Sequence, residues 1–243
     1  MGKTGSGKST RMVRELAWRI QQVRRIDTQA YKIVLVDTKP ISFGQNDDEG
    51  HYAFVPGARI YRDWKLIDLR RDTSRVIIYR PTPNLINPDE FARFFDSLLQ
   101  YQVRQKDGKS APLPMTVIVD ELIDIFSSEK RRTTYIEGFT KMLTEGRSAL
   151  QTLWILTQFP VYIDASIKRN VSVNFVFRLP DENDRKTMAG ILGSKLVADP
   201  IRSTHGFWYE NDAIEATMEQ PLFFTGSDQR TLSVIQGGRA ATA

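Results

Sequence analysis

The sequence contains no cysteine, which excludes disulfides, thiolate metal sites and cysteine nucleophiles. Histidine is nearly absent too. His51 and His205 are the only two, too few for a zinc cluster. No apolar run approaches the roughly 20 residues that a membrane-crossing helix needs, and no secretory leader is visible at the amino end. There is no internal repeat, no low-complexity block and no convincing domain boundary. These absences lead to the expectation of a soluble, cytoplasmic protein with no transmembrane segment of its own.

What is present fits a globular enzyme. The chain has 243 residues, 41% hydrophobic and 26% charged. That suits a single α/β domain over residues 1–243, with 237–243 as a frayed tail. The net charge of +5 permits a nucleic-acid partner without requiring one.

The most specific pattern lies at the amino end. Gly2-Lys3-Thr4-Gly5-Ser6-Gly7-Lys8-Ser9, followed by Thr10, fits G-x-x-x-x-G-K-[ST], the phosphate-binding loop or Walker A motif. The glycines let the backbone curl so that successive N–H groups point at phosphate oxygens. Lys8 can then reach the β- and γ-phosphates of ATP. Ser9 can offer its hydroxyl to Mg²⁺, and the helix that starts here aims its positive end at the anion. Gly2, Gly5, Ser6, Gly7, Lys8, Ser9 and Thr10 form the candidate nucleotide-binding set. Such a loop normally follows a buried strand, yet only Met1 precedes it. The first core strand is therefore expected to be missing. Either the sequence starts late or another segment fills that slot.

Downstream, residues 8–25 have helical spacing, with Met12, Leu16, Ile20 and Val23 on one face. The other face is rich in arginine, a solvated surface or a nucleic-acid contact. The run 32–37 reads as a buried parallel strand that ends in Asp37-Thr38-Lys39. A polar cluster there is either a ligand edge or an ordinary turn. Residues 44–50 read as an acidic loop, and 58–61 and 75–79 as further strands. A helix begins at Pro88, with Asn87 and Glu90 at capping positions and Phe91, Phe94, Phe95, Leu98 and Leu99 as its apolar stripe. Residues 104–110 and 127–132 read as polar and basic loops.

The run Met115-Thr116-Val117-Ile118-Val119 ends in Asp120-Glu121, a Walker B pattern. Asp120 can hold Mg²⁺ through its water shell, and Glu121 can polarise the water that attacks the γ-phosphate. A helix follows over 136–143. Residues 152–158 read as a strand ending in Gln158, which would sit beside the γ-phosphate as a sensor. Residues 173–179 read as another strand and 181–192 as another helix. Residues 207–209 and 222–224 read as closing antiparallel strands.

In this order the signals resemble the FtsK–HerA superfamily of ring-forming, DNA-pumping ATPases. The resemblance runs from Gly2 to about Leu222. It rests on Gly2 to Thr10, on Val36-Asp37-Thr38-Lys39 and on Val119-Asp120-Glu121. It rests also on Gly146-Arg147-Ser148 through Gln158-Phe159-Pro160, which looks like that group's arginine–glutamine block. Ile167-Lys168-Arg169-Asn170, Phe177, Asp184-Arg185 and Gly206 to Tyr209 look like its later elements. Phe159 departs from the pattern, since a basic residue often follows the glutamine. The short chain is most like the genome-packaging ATPases of tailless, internal-membrane icosahedral viruses.

The resemblance implies a P-loop NTPase core of the RecA-like kind: a mostly parallel sheet flanked by helices, with antiparallel strands closing the carboxyl end. It implies an ATPase that translocates double-stranded DNA as a hexameric or pentameric ring, with a capsid-vertex or membrane-anchored viral protein as a further partner. Such a protein would lie in the host cytoplasm or at the virion vertex. The resemblance casts Lys8, Glu121 and Gln158 as catalytic. It casts Arg147 as the cation given to a neighbouring subunit's ATP, with Arg169 as the fallback. Two alternatives stay open: a segregation or conjugation pump of the same superfamily, and a non-translocating ATP-binding morphogenesis scaffold.

Overall fold

Two continuous apolar runs become the centre of the sheet. Strand β1 (Lys32–Asp37) lies parallel to β4 (Met115–Asp120), and every residue of both is buried. Their β-branched content suits strands covered on both faces. The computed structural model describes residues 11–12, 15–17, 19–20, 31–38, 55, 57–82, 86–103, 112–122, 125, 137–146, 151–163, 167, 170–171, 173–192, 207–211 and 214–219. The remaining strands of this sheet are β2 (Arg59–Tyr61), β3 (Val76–Tyr79) and β5 (Gln151–Ile155). The order is β2-β3-β1-β4-β5 and every pairing is parallel.

Alternate residues of the strands feed two cores, as the two-residue period of a strand requires. On one face Val34, Val36, Ile77, Tyr79, Val117 and Val119 pack under α1 (Pro88–Val103) and α2 (Glu137–Glu145). Helix α1 supplies Phe91, Phe94, Phe95 and Leu98, the stripe expected from sequence, and α2 supplies Phe139 and Met142. Ring centroids stand 4.7 Å apart for Tyr79–Phe94 and 5.0 Å for Phe95–Phe139. Each such side chain contributes about 1.5–3 kcal/mol when buried. On the other face Ile33, Leu35, Ile78 and Ile118 meet Met12, Leu16 and Ile20 from the helical residues of 11–20.

The start of α1 follows from its sequence. Glu90 donates its backbone N–H to Asn87 Oδ1 at 3.0 Å, and Pro88, Asp89 and Glu90 form the first turn. The Glu90 carboxylate accepts from Trp64 Nε1 at 2.8 Å and pairs with Arg93.

The carboxyl-terminal part is a second, antiparallel sheet of β6 (Val173–Phe177), β7 (Phe207–Asn211) and β8 (Ile214–Glu219), in that order. Helix α3 (Glu182–Leu192) falls between β6 and β7 in the chain. One strand was not expected and one expectation shifts here. Strand Ile214–Glu219, which pairs with β7, alternates Ile, Ala and Met with Glu and Thr. The strand expected over 152–158 ends at Ile155; Leu156 still bonds to the β4 side through its backbone, and Thr157 and Gln158 leave the sheet. The loops at 44–50, 104–110 and 127–132, the run 222–224 and the tail 237–243 lie outside the described residues.

Candidate active site

In a parallel sheet all strand carboxyl ends reach one edge, and ligands bind there. This edge gathers charge. Asp37 ends β1 and Asp120 ends β4, in register beside each other, and Arg80 follows β3. Arg80 Nε donates to Asp37 Oδ2 at 2.9 Å, with both side chains 3% exposed. Thr38 Oγ1 donates to the Asp120 carbonyl at 3.0 Å, which locks the two strand ends together. Arg62, just past β2, has its pKa lowered by burial and by the neighbouring Arg80 charge, partly offset by Asp37.

Glu121 leaves the strand in an unusual way. Leu156 donates its N–H to Val119 O at 2.9 Å and accepts the N–H of Leu122 at 2.8 Å. A regular parallel ladder would take the N–H of residue 121. One residue is thus extra, as in a bulge. Glu121 absorbs it with φ of 69°, the left-handed region. For a residue with a Cβ that conformation costs about 1–2 kcal/mol. Its effect is to turn the buried Glu121 carboxylate toward the segment after β5, where Gln158 donates its backbone N–H to Glu121 Oε1 at 3.1 Å. Phe159 N–H donates to Thr157 Oγ1 at 3.2 Å, and Val161 N–H to Asp184 Oδ1 at 3.0 Å. The second bond ties this turn to α3.

Of the residues singled out from sequence, the structure brings Asp120, Glu121 and Gln158 together. Gly2, Gly5, Ser6, Gly7, Lys8, Ser9, Thr10, Arg147 and Arg169 lie outside the described residues. Sequence reasoning missed Arg80. The signal was available: it is the first residue after a buried strand, at the same edge as two carboxylates.

The donor chemistry suits a hard cation. Mg²⁺ takes oxygen ligands, keeps several waters and needs only one or two carboxylates beside phosphate oxygens. Asp120, 2% exposed at a strand end, is a carboxylate of that kind. The described residues hold no group of three or more metal-ligating side chains, so a closed all-protein metal cage is not built among them.

No protein-family model matches the sequence, and no curated protein matches it. Solved structures do. The genome-packaging NTPase B204 of Sulfolobus turreted icosahedral virus 2, bound to ATP-gammaS, superposes with a TM-score of 0.67 at 12% identity. The match covers 91% of this chain and 95% of that one. ATPases 2 and 3 of EssC from Geobacillus thermodenitrificans match with a TM-score of 0.58 at 12% identity, over 97% of this chain and 42% of that one. The cytoplasmic domain of the type VII secretion ATPase EccC from Thermomonospora curvata matches with a TM-score of 0.56 at 15% identity, over 97% of this chain and 26% of that one. At these identities the likeness establishes architecture. A five-stranded parallel sheet under helices, shared with nucleotide-binding packaging and secretion ATPases, gives this chain the P-loop NTPase fold.

Proposed function

We propose that this chain is an Mg²⁺-dependent ATPase that moves double-stranded DNA as part of a homo-oligomeric ring, and that its task is packaging a viral genome into a preformed capsid. The observation that carries the reading is the bond from the Gln158 backbone to Glu121. It fixes the acid that follows Asp120 against the turn after the neighbouring strand, in a chain whose amino end spells a phosphate-binding loop. The likeness in fold to the viral packaging NTPase B204, which covers nearly all of both chains, supports the packaging task over the alternatives.

The roles follow from chemistry. Backbone N–H groups of 2–10 and the Lys8 ammonium bind the triphosphate. Ser9 and Asp120 would hold Mg²⁺, which when bound neutralises phosphate charge. Glu121 accepts the proton of the attacking water, and the Gln158 side chain senses the γ-phosphate. Arg147 supplies the cation for the neighbouring subunit's site, a contribution of about 10³–10⁵ in rate where such an arginine acts.

The test is ATP turnover with and without double-stranded DNA, with oligomer mass measured in parallel. DNA-stimulated turnover by an oligomer is expected. Tight ATP binding without turnover would overturn the motor in favour of a scaffold. Mixing Arg147→Ala with Glu121→Gln protein should restore activity if the arginine acts in trans. No recovery at any ratio would remove that role.

A further inference from the structure

The turn after β5 is held at both ends by carboxylates from other elements. At its start Gln158 donates its backbone N–H to Glu121 Oε1 at 3.1 Å. Further on, Val161 donates its backbone N–H to Asp184 Oδ1 at 3.0 Å. Between these bonds the chain enters a short 3-10 turn, Pro160–Tyr162. Apolar packing does little to place it. Phe159, Val161 and Tyr162 are 46%, 39% and 47% exposed, and of residues 159–162 Pro160 alone is buried. The other bonds described for the turn are local: Phe159 N–H to Thr157 Oγ1, Tyr162 N–H to Phe159 O and Ile163 N–H to Pro160 O. They shape the turn without tying it to the rest of the fold. A segment with few buried apolar contacts opens readily unless other bonds hold it.

Asp184 is well placed to hold it. It lies in the first turn of α3 and is 5% exposed. Carboxylates at a helix start usually serve the free N–H groups of their own helix. Here Asp181 fills that role: its Oδ1 accepts the N–H of Asn183 at 2.8 Å and of Asp184 at 3.1 Å. The side chain of Asp184 bonds to a different element instead. The positive end of the α3 dipole favours its charge, and a hydrogen bond to a carboxylate is stronger than one between neutral groups. Arg185 fixes the path from β6 into α3, with Nη1 donating to Leu179 O at 3.0 Å and to Pro180 O at 2.6 Å. Met188, one turn further along α3, is fully buried. Asp184 thus projects from a helix start that is itself anchored.

We infer that Asp184 is a positioning residue for the hydrolytic site. It fixes the turn that presents the Gln158 N–H to Glu121, and through that bond it sets where the Glu121 carboxylate stands. The inference rests on the proposed role of Glu121 as the base. The link from Gln158 to Val161 is three residues long and spans at most about 11 Å. One of its residues is Pro160, whose ring fixes φ. A shift at Val161 is therefore passed to Gln158. At the far end Glu121 sits in the left-handed region, with φ of 69°, a conformation that persists only where its surroundings hold it. A general base must stay within hydrogen-bond reach of the water it activates, and a misplacement of about 1 Å can cost about 10²-fold in rate. The same bond ties the position of α3 to the edge that carries Asp120 and Glu121.

The test compares Asp184→Ala, Asp184→Asn and Asp181→Ala in the full chain. Asparagine keeps an oxygen that can accept the Val161 N–H. Asp181→Ala weakens the start of α3 and leaves the Asp184 carboxylate in place. The readouts are kcat and KM for ATP, and amide hydrogen exchange at Gln158, with Val117 in β4 reporting that the sheet is folded. Asp184→Ala is expected to lower kcat by about tenfold or more with KM within about twofold. It is also expected to speed exchange at Gln158 by about tenfold with Val117 unchanged. Asp184→Asn should recover most of both effects, and Asp181→Ala should move neither by more than about twofold. An equal loss of kcat in Asp181→Ala would overturn the inference, because helix stability would then explain it. So would a Gln158 amide that Asp184→Ala leaves unchanged. If the alanine variant does not fold, Asp184→Glu keeps the charge and moves the oxygens by one methylene. It must then show the same fall in kcat and rise in exchange, and parent-like values would overturn the inference. A parent that binds ATP without turnover, with Gln158 exchange still responding to Asp184→Ala, would remove Glu121 as a base and support the link from Asp184 to Gln158.

Discussion

Gln158 donates its backbone N–H to Glu121 Oε1 across 3.1 Å, and Glu121 meets it from a left-handed backbone conformation. The conformation is uncommon for a residue with a side chain, and strain of this sort gathers where function holds a group in place. Replacing Glu121 with Gln keeps the oxygen that accepts this bond and removes the basicity. Stability should change little. Turnover should fall by about 10²–10⁴, the usual contribution of a general base. ATP affinity should be retained. Phosphate-release kinetics and nucleotide titration check this, and turnover within a few fold of the parent would remove Glu121 as the base.

The Arg80–Asp37 pair lies in the same edge and has a different task. Both side chains are 3% exposed, so neither charge has water to fall back on. Arg80→Ala leaves a buried carboxylate beside Asp120. We expect a loss of about 3–5 kcal/mol in urea unfolding, the usual cost of breaking a buried pair by removing one partner. The Arg80→Gln, Asp37→Asn double variant should recover a large part of it, because no uncompensated charge remains. A double variant as unstable as Arg80→Ala would show that shape, and not charge, holds this corner.

Much of the sheet was legible because its strands announce themselves. A run such as Lys32–Asp37 or Met115–Asp120 is short, β-branched and apolar throughout, and a helix does not compete for it. Helix α1 was legible from its cap and stripe. The hairpin end was not. Ile214–Glu219 alternates apolar with charged and polar residues over only six positions, a weaker signal than a continuous apolar run. In the site, Asp120 and Glu121 could be named from the strand that precedes them. The extra residue at Glu121 could not, because a bulge is set by how two strands align and not by either strand alone. Arg80 could be placed at a strand end from sequence, but its pairing with Asp37 could not, since only the strand order places β3 next to β1.

Gly138 records a close approach. A Cβ there would stand 2.6 Å from the backbone N of Asp96 and 2.6 Å from the backbone C of Phe95, both in α1. Its N–H donates to Asp96 Oδ1 at 2.8 Å. Since the obstacle is backbone, α2 itself must move. Gly138→Ala should cost about 1–3 kcal/mol. Gly190 in α3 has nothing within 4 Å of such a Cβ. Gly190→Ala should stabilise by about 0.5–1 kcal/mol through helix propensity. Thermal unfolding of the two variants should thus move in opposite directions, and a shift of the same sign in both would contradict the packing argument.

Asp72 sits at the other end of the sheet from the site, and its charge is built into the fold. Its Oδ2 accepts from Tyr61 OH at 2.6 Å, its Oδ1 accepts from Ser74 N–H at 2.7 Å, and Lys32 Nζ donates to its carbonyl at 2.6 Å. Burial pushes the Asp72 carboxyl up. The two hydrogen bonds, with the Arg59 and Lys32 charges, outweigh burial and hold it below the usual carboxylate range. A carboxylate with a depressed folded-state pKa adds stability that is complete above its unfolded value of about 3.9 and is lost as pH falls through the folded value. The stability gap between the parent and Asp72→Asn should therefore stay constant from about pH 8 down to about pH 5 and narrow below about pH 4. Its size at neutral pH should be roughly 1.5–3 kcal/mol, that of a hydrogen bond to a charged group. Urea unfolding across that pH range measures it. Parallel loss of stability in both proteins down to acid would show that Asp72 titrates alike in the folded and unfolded chains.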